Sequence, residues 1–323
     1  MADWKSVPLG VDLGATRVRL AYGRIDRTGT IRVDAVVSRD LPDGGWAKSD
    51  ADLKLVAAVA EDAWSELRVR ERRCILAVGP PAAAVRYVAL PPMSWAERLR
   101  AARFDVARWP GWDTAIDPIV RVHSVEHRNG IYAIGAVRRE VLDRRLAVLR
   151  AAGLRPVAVD HESLALHRAL GASTAIVDVS AERTSVHVYG EAGPLCAVSA
   201  LAGAEITRGI AQELAIDLES AERRKRILGC AGAGAGARDA VVASIASLLE
   251  RFRARAVIDR IAVTGNGARL PNFAESLRDA TGVAAEMPVP KLLEGEAYPS
   301  DVIRTAAPDW SLAVGLLAWS TAS

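Results

Sequence analysis

The chain has 323 residues, half of them hydrophobic and a quarter charged, with a formal net charge of only +3, which excludes the disordered and fibrous classes and suits two domains that each bury a core. Basic runs such as Arg68–Arg73 and Arg223–Arg226 lie beside Glu, so they read as solvated helix faces and not as a nucleic-acid surface. Three separated cysteines, five scattered histidines, no apolar N-terminal leader and a longest charge-free run of only Trp310–Ser323 argue against a disulfide framework, a zinc site, a signal peptide and a membrane span, and point to the cytoplasm.

The first predicted element is a strand, because Val7, Leu9, Val11 and Leu13 alternate with period two. It runs into the turn Asp12-Leu13-Gly14-Ala15. Strands follow at Arg17–Ile25 and Ile31–Val37, joined across Arg27-Thr28-Gly29. Between 73 and 153 the pattern predicts strands at Cys74–Val78, Ala84–Leu90, Ile119–Val125 and Tyr132–Val137. Helices are expected near Trp95–Arg108 and Glu140–Ala152. Trp109 and Trp112 are expected in the core of this part and not as an exposed partner patch.

The opening pattern then repeats. Ala175-Ile176-Val177 leads into Asp178-Val179-Ser180-Ala181, and a hairpin follows, Thr184–Tyr189 and Leu195–Ala200, turning at Gly190–Gly193. A repeat at this spacing signals duplicated domains and not a solenoid. A helix through Glu219–Lys225 sets Glu222 and Lys225 on one face. The Gly/Ala-rich stretch Ile227–Ala237 is expected to be a mobile loop, followed by a helix over Asp239–Val257. The last pattern is a strand at Ile258–Val263, a glycine turn at Thr264–Ala268, and a helix over Leu270–Thr281 closed by Gly282.

Such turns have a specific chemistry. A tight turn with a small residue can aim backbone N–H groups at phosphate oxygens, and an acidic residue at its edge can hold hydrated Mg²⁺. For Asp12 or Asp178 alone, a plain hairpin-edge role competes with that reading. Their duplication favours two phosphate turns facing one cleft.

These segments, in this order, resemble the actin-like ATPase superfamily. The closer resemblance is to the PilM family of type IV pilus assembly proteins, over about Val7 to Leu317. It rests further on Leu90-Pro91-Pro92-Met93 before a helix, on Ala151–Asp160, on Asp160–Leu166 and on Ala313–Leu317. The resemblance implies an α/β fold: two duplicated halves around a nucleotide cleft, residues 1–175 and 176–323. It also implies an inserted α/β subdomain over 73–153 and a helical subdomain over about 205–256.

It further implies ATP as cofactor, with Mg²⁺ held through water by Asp12 and Asp178. Asp12, Gly14, Ala15 and Thr16 correspond to the first phosphate loop. Asp178, Ser180 and Ala181 correspond to the second. Gly265, Asn266 and Gly267 match the adenosine motif, and Glu222 and Lys225 the pair along the ribose and adenine. Glu162 falls where related ATPases orient a water, with a helix N-terminal carboxylate as the alternative. Ser180 stands where the family has glycine, so its Cβ is expected to oppose a positive φ. With Glu182 and Arg183 beside it, hydrolysis is expected to be weak or absent. The implied partner is the cytoplasmic N-terminal tail of a PilN-like membrane protein, bound by the insert, which would hold the chain peripherally at the inner membrane. The alternatives are a sugar-type kinase using Asp160 as base, or a GspL-like or FtsA-like component.

Overall fold

The computed structural model describes residues 5–42, 50–112, 117–125, 128–171, 174–191, 193–293 and 300–321. The chain opens with β1 (Lys5–Ser6), β2 (Leu9–Leu13), β3 (Arg17–Ile25) and β4 (Ile31–Asp40), then α1 (Asp50–Leu67) and β5 (Arg73–Val78). There follow β6 (Ala83–Ala89), α2 (Trp95–Val106), β7 (Pro118–Ser124), β8 (Ile131–Arg138) and α3 (Arg139–Ala151). The next are β9 (Arg155–His161), α4 (Glu162–Leu170), β10 (Ala175–Val179), β11 (Thr184–Gly190) and β12 (Gly193–Ser199). Then come α5 (Gly203–Leu214), α6 (Leu218–Leu228), α7 (Ala235–Arg253) and β13 (Arg260–Thr264). A 3₁₀ turn (Asn266–Arg269), α8 (Phe273–Thr281), β14 (Ala284–Glu286) and α9 (Ser300–Leu317) close the chain.

The expected duplication is visible in the sheets. One sheet runs β4-β3-β2-β5-β9, with β1 also on β3, and the other runs β12-β11-β10-β13-β14. In both, the first two pairings are antiparallel and the last two parallel. Asp12 pairs across the first hairpin with Arg19, and Asp178 across the second with Ser185.

Five layers result. The outer face of the first sheet packs Leu9, Val11, Leu13 and Leu20 against α1 and α3. Each such fully buried Leu or Val contributes about 1.5–3 kcal/mol. The second sheet packs Val177, Val186 and Val263 against Ile206, Ile245 and Phe273 of α5, α7 and α8. Between the sheets lie α4 and α9. Helix α4 sets Leu166 and Leu170 against Ile176 and Ala262 of the second sheet, and α9 sets Ala313, Val314 and Leu317 against Val7, Ala21 and Val33 of the first. Close approach needs glycine at two places. A Cβ on Gly10 would overlap the Ala313 carbonyl of α9, and one on Gly315 would overlap the Ala165 carbonyl of α4.

A third sheet, β6-β8-β7, is covered by α2, whose start is fixed by a capping box between Ser94 and Glu97. Trp109 and Trp112 are buried in its core with Val106, Val120 and Ile134, as the sequence predicts. Two expectations about this region are corrected. The strand at Cys74–Val78 belongs to the large first sheet, because β5 pairs in parallel with both β2 and β9. Helix α3 packs on α1 in the first core and not on the third sheet alone. The separate sheet is therefore confined to residues 83–138.

The stretch Ile227–Ala237 is likewise not one loop. Ile227 and Leu228 end α6, and Ala235–Ala237 begin α7. The turn between them is pinned by glycines at positive φ (229, 232 and 234) and by Gly234 N donating to Glu213 Oε2 at 2.9 Å. Of the expected turn at Gly190–Gly193, Ala192 lies outside the described residues. Among the described residues no helix is long and apolar enough to cross a membrane.

Candidate functional site

The two repeated turns end β2 and β10, one strand in each large sheet, and close the same way. Gly14 N donates to Arg17 O at 2.9 Å, and Ser180 N donates to Arg183 O at 3.1 Å. Ser180 does not adopt a positive φ, which corrects the expected conflict at that position; its hydroxyl simply adds a contact to Arg183 O at 3.2 Å. Among the described residues the N–H groups of Ala15, Thr16, Ala181 and Glu182 take no backbone acceptor. All four residues line one cleft of about 320 Å³. Unspent turn N–H groups of this kind suit an anion.

The same cleft brings together Asp12, Gly14, Glu162, Asp178, Ser180, Gly265 and Asn266. Gly265 has φ of +82°, and a Cβ there would overlap Asp178 Oδ1 and stand 2.6 Å from Val179 O, so only glycine lets the third turn close on β10. Gly267 packs behind the cleft, where a Cβ would collide with Val179. Glu222 and Lys225 also stand behind it. Lys225 Nζ donates to Glu222 Oε2 (2.6 Å), Thr207 Oγ1 (2.7 Å) and Gly203 O (2.9 Å), and Gly203 N donates to Ser180 O, which ties the pair to the second turn.

Two arginines and a carboxylate that line the cleft, Arg19, Arg145 and Asp309, carry no motif in the sequence. Arg19 binds Asp12 Oδ2 at 2.9 Å and Asp309 Oδ1 at 3.5 Å. Arg145 of α3 donates to Leu13 O at 2.8 Å. Asp309 of α9 also receives Arg17 at 3.4 Å and Arg269 at 3.0 Å, and the Asn266 amide, oriented by its hydrogen-bond network, turns its nitrogen toward the same carboxylate. A lone Asp in an otherwise apolar helical run, just before Trp310-Ser311-Leu312-Ala313, was the signal available in the sequence.

Arg183 takes a part that residue type alone did not reveal. Its Nη2 meets both oxygens of Glu162, at 2.5 and 2.6 Å, and its Nη1 donates to Pro80 O at 2.7 Å. Burial would raise the Glu162 pKa, but Arg183, with His187, Arg145 and His161, holds it below the usual carboxylate value. Gly79 makes room for it, since a Cβ there would overlap the Glu162 carboxylate.

Asp178 behaves oppositely. Burial pushes its carboxyl up to about 7, and the charges of Glu162 and Asp12 push the same way against Arg183. Asp12 is also raised, chiefly by burial and against Arg19. Asp12 is paired directly with Arg19, so a divalent cation there would compete with that guanidinium. Among the described residues no three His, Cys, Asp or Glu side chains converge to grip a metal directly. Asp160, the candidate kinase base, does not line this cleft and is paired with Arg168.

The sequence profile described as "Type IV pilus assembly protein PilM" matches residues 122–320. The chain belongs to the PilM family. No curated protein matches it. In structure it is similar to the chain solved as "PilM-PilN type IV pilus biogenesis complex", with a TM-score of 0.81 and 24% identity over 96% of this chain and 97% of that one. It is also similar to the ethanolamine utilization protein EutJ from Carboxydothermus hydrogenoformans (TM-score 0.63, 16% identity, 96% and 89% covered). A further similarity is to MreB5 of Spiroplasma citri bound to ADP (TM-score 0.56, 12% identity, 97% and 96% covered). The fold of this PilM-family chain is thus that of the actin-like proteins, as expected.

A second concavity lies away from the cleft. It has a volume of about 480 Å³ and runs between the third sheet and β9. Its walls include Val85, Ile119, Gly135 and Val137 on one side and Val157 and Val159 on the other. β9 is the free edge of the first sheet, and Val157 and Val159 are 51% and 39% exposed on it. An apolar edge strand is a template for pairing with an extended chain.

Proposed function

We propose that this chain is the nucleotide-holding scaffold of a type IV pilus assembly machine, placed at the cytoplasmic face of the inner membrane by the tail of a PilN-like protein. The observation that carries the nucleotide half is the pair of equivalent turns, Asp12–Arg17 and Asp178–Arg183, meeting in one cleft. Ala15, Thr16, Ala181 and Glu182 would give backbone N–H groups to the phosphates, Asp12 and Asp178 would hold the waters of Mg²⁺, and Gly265 and Asn266 would border the nucleoside. Glu222 and Lys225 would support the second turn beside it. Bound MgATP would supply a terminal phosphate whose charge the cleft's arginines can read. The division into halves near residue 175 is part of the same reading.

The partner half rests on the edge of β9. A tail laid along Val157 and Val159 gains main-chain bonds from the free edge and side-chain pockets from the third sheet. Gly135, with nothing within 4 Å of where a Cβ would stand, gives such a tail a floor it can approach closely. Calorimetric titration with MgATP and with the synthetic tail of the PilN-like protein from the same genome tests both halves. Each should bind saturably, and absence of either signal removes that half of the proposal.

A further inference from the structure

Helix α2 forms the outermost layer over the third sheet. Its inner face, Ala102 and Val106, packs with Trp109 on Val120 and Ile134. Side chains alternate along a strand, so Ile134 of β8 faces α2 while Ala133 and Gly135 line the groove on the other side. The outer face of α2 is not a plain solvated surface. Phe104 is 69% exposed, and Trp95, in the first turn, is 64% exposed. Arg100 and Arg108 stand four residues to either side of Phe104 and Arg103 beside it, all three exposed. Arg108 lays its guanidinium 5.7 Å from the centre of the Phe104 ring. The acidic side chains of this part are spent elsewhere: Glu97 closes the capping box with Ser94, Asp105 accepts Trp109 Nε1 at 2.9 Å, and Asp117 pairs with Arg139. Arg100, Arg103 and Arg108 are left without an ion pair among the described residues. Residues 83–138 hold eight arginines against five acidic residues, an excess equal to the whole chain's net charge of +3.

We propose that the outer face of α2 is a contact for an anionic lipid surface, with Trp95 and Phe104 entering the headgroup region and Arg100, Arg103 and Arg108 bonding lipid phosphates. Aromatic side chains favour the bilayer interface, and a guanidinium takes two phosphate oxygens at once. Each arginine near an anionic leaflet raises partitioning by roughly fivefold. An acidic protein would also suit the arginines. The two aromatic side chains, however, stand about 13 Å apart along the helix with Arg100 and Arg103 between them, a spread that suits a broad phosphate-bearing surface and not one apolar pocket. The inference goes beyond the proposed function and takes from it only the nearby bilayer. A tail held in the groove passes the sheet and α2, about 20 Å, in roughly six extended residues. A chain held by such a tail can therefore rest α2 on the bilayer in which the tail is rooted. Two weak contacts then reinforce each other through effective concentration.

The test is flotation of the full chain, with neither tail nor nucleotide, on vesicles of phosphatidylcholine mixed with phosphatidylglycerol and on vesicles of phosphatidylcholine alone. The chains compared are the wild type, Arg100→Gln/Arg103→Gln, Trp95→Ser/Phe104→Ser and Arg68→Gln/Arg70→Gln. The last removes the same charge from exposed arginines of the first half. Circular dichroism confirms that each variant is folded. The wild type should bind the anionic vesicles and release them at high salt. Both α2 variants should bind at least roughly tenfold more weakly, and the Arg68/Arg70 control within about twofold of the parent. Equal binding to both kinds of vesicle, or none to either, overturns the proposal. Equal losses in the control and the α2 arginine variant also overturn it, because net charge alone would then be responsible. So does undiminished binding by Trp95→Ser/Phe104→Ser, or self-association abolished in that variant without any vesicle binding, which would assign the face to a second copy of the chain. None of these outcomes touches the tail and MgATP titrations, whose failure removes the proposed function separately.

Discussion

Glu162 and Asp309 each grip an arginine of the other half's repeated turn. Glu162 lies on α4, which follows the parallel strand β9, and it binds Arg183. Asp309 lies on α9, which follows the parallel strand β14, and it receives Arg17. Arg17 and Arg183 both stand three residues after the residue that closes the turn, Gly14 and Ser180. The carboxylates are only 5% and 7% exposed. The halves are thus joined across the cleft by reciprocal ion pairs, and the two turns cannot separate without breaking them.

This arrangement makes a stability prediction. Arg183→Ala leaves Glu162 buried without its main counter-charge, which should cost about 3–5 kcal/mol. Arg183→Ala/Glu162→Gln should recover much of that loss. Urea unfolding of the two variants checks it, and equal losses in both would mean that the ion pair is not the source of the effect.

The paired aspartates make a binding prediction. Asp12→Ala and Asp178→Ala should each weaken Mg²⁺-dependent ATP binding by roughly tenfold, about 1.4 kcal/mol. Titrations with and without Mg²⁺ separate this from a general loss of affinity. Variants that bind like the parent would make the duplication structural only.

Slow turnover is expected from the Glu162 pairing. A carboxylate held on both oxygens by Arg183 has little capacity left to orient a water. Phosphate release should stay near background, far below the roughly 10 s⁻¹ of a median enzyme. A steady rate comparable to that median, lost in Glu162→Gln, would restore an ATPase.

His187 gives a pH prediction. Burial, helped by the charge of His161, holds this wholly buried imidazole down to about 3, against 6.5 when unfolded. The unfolded chain therefore takes up a proton below 6.5 that the folded chain refuses until about 3. The stability contributed by neutral His187 is complete above 6.5 and is lost as the pH falls toward 3, by up to a few kcal/mol. Asp178 acts in the opposite direction, because its folded carboxyl keeps a proton up to about 7 that the unfolded chain releases near 3.8. The difference between His187→Leu and its parent cancels the Asp178 part. That difference should narrow between pH 6.5 and 4 in favour of the variant, as read by denaturant midpoints, and a constant difference would contradict the assignment.

Local patterns carried the duplication, because each half opens with the same strand, turn and hairpin and these are short-range features. They also carried the two repeated turns, the glycine turn at 265 and the burial of Trp109 and Trp112. What they could not carry was pairing at long range. β5 reads like any apolar strand, and only its parallel partners β2 and β9 place it in the first sheet. Arg19 and Asp309 are 290 residues apart, and Arg183 meets Pro80 across 103. No spacing rule brings such residues together; the sandwiching of α4 and α9 between the sheets does. Ser180 misled because a missing glycine suggests strain only where the backbone has positive φ, and here it does not.

The central claim, that this chain is a pilus scaffold that captures a membrane protein's tail beside a nucleotide cleft, is tested most directly at Gly135. A Cβ added there meets no atom within 4 Å, and Gly135 lines the groove, so a small side chain should leave folding and MgATP binding unaffected. Calorimetric titration of the PilN-like tail into Gly135→Val should lose at least roughly tenfold in affinity, about 1.4 kcal/mol, with MgATP binding unchanged. Tail binding as tight as that of the parent chain, in a variant that still folds and binds MgATP, would contradict the account.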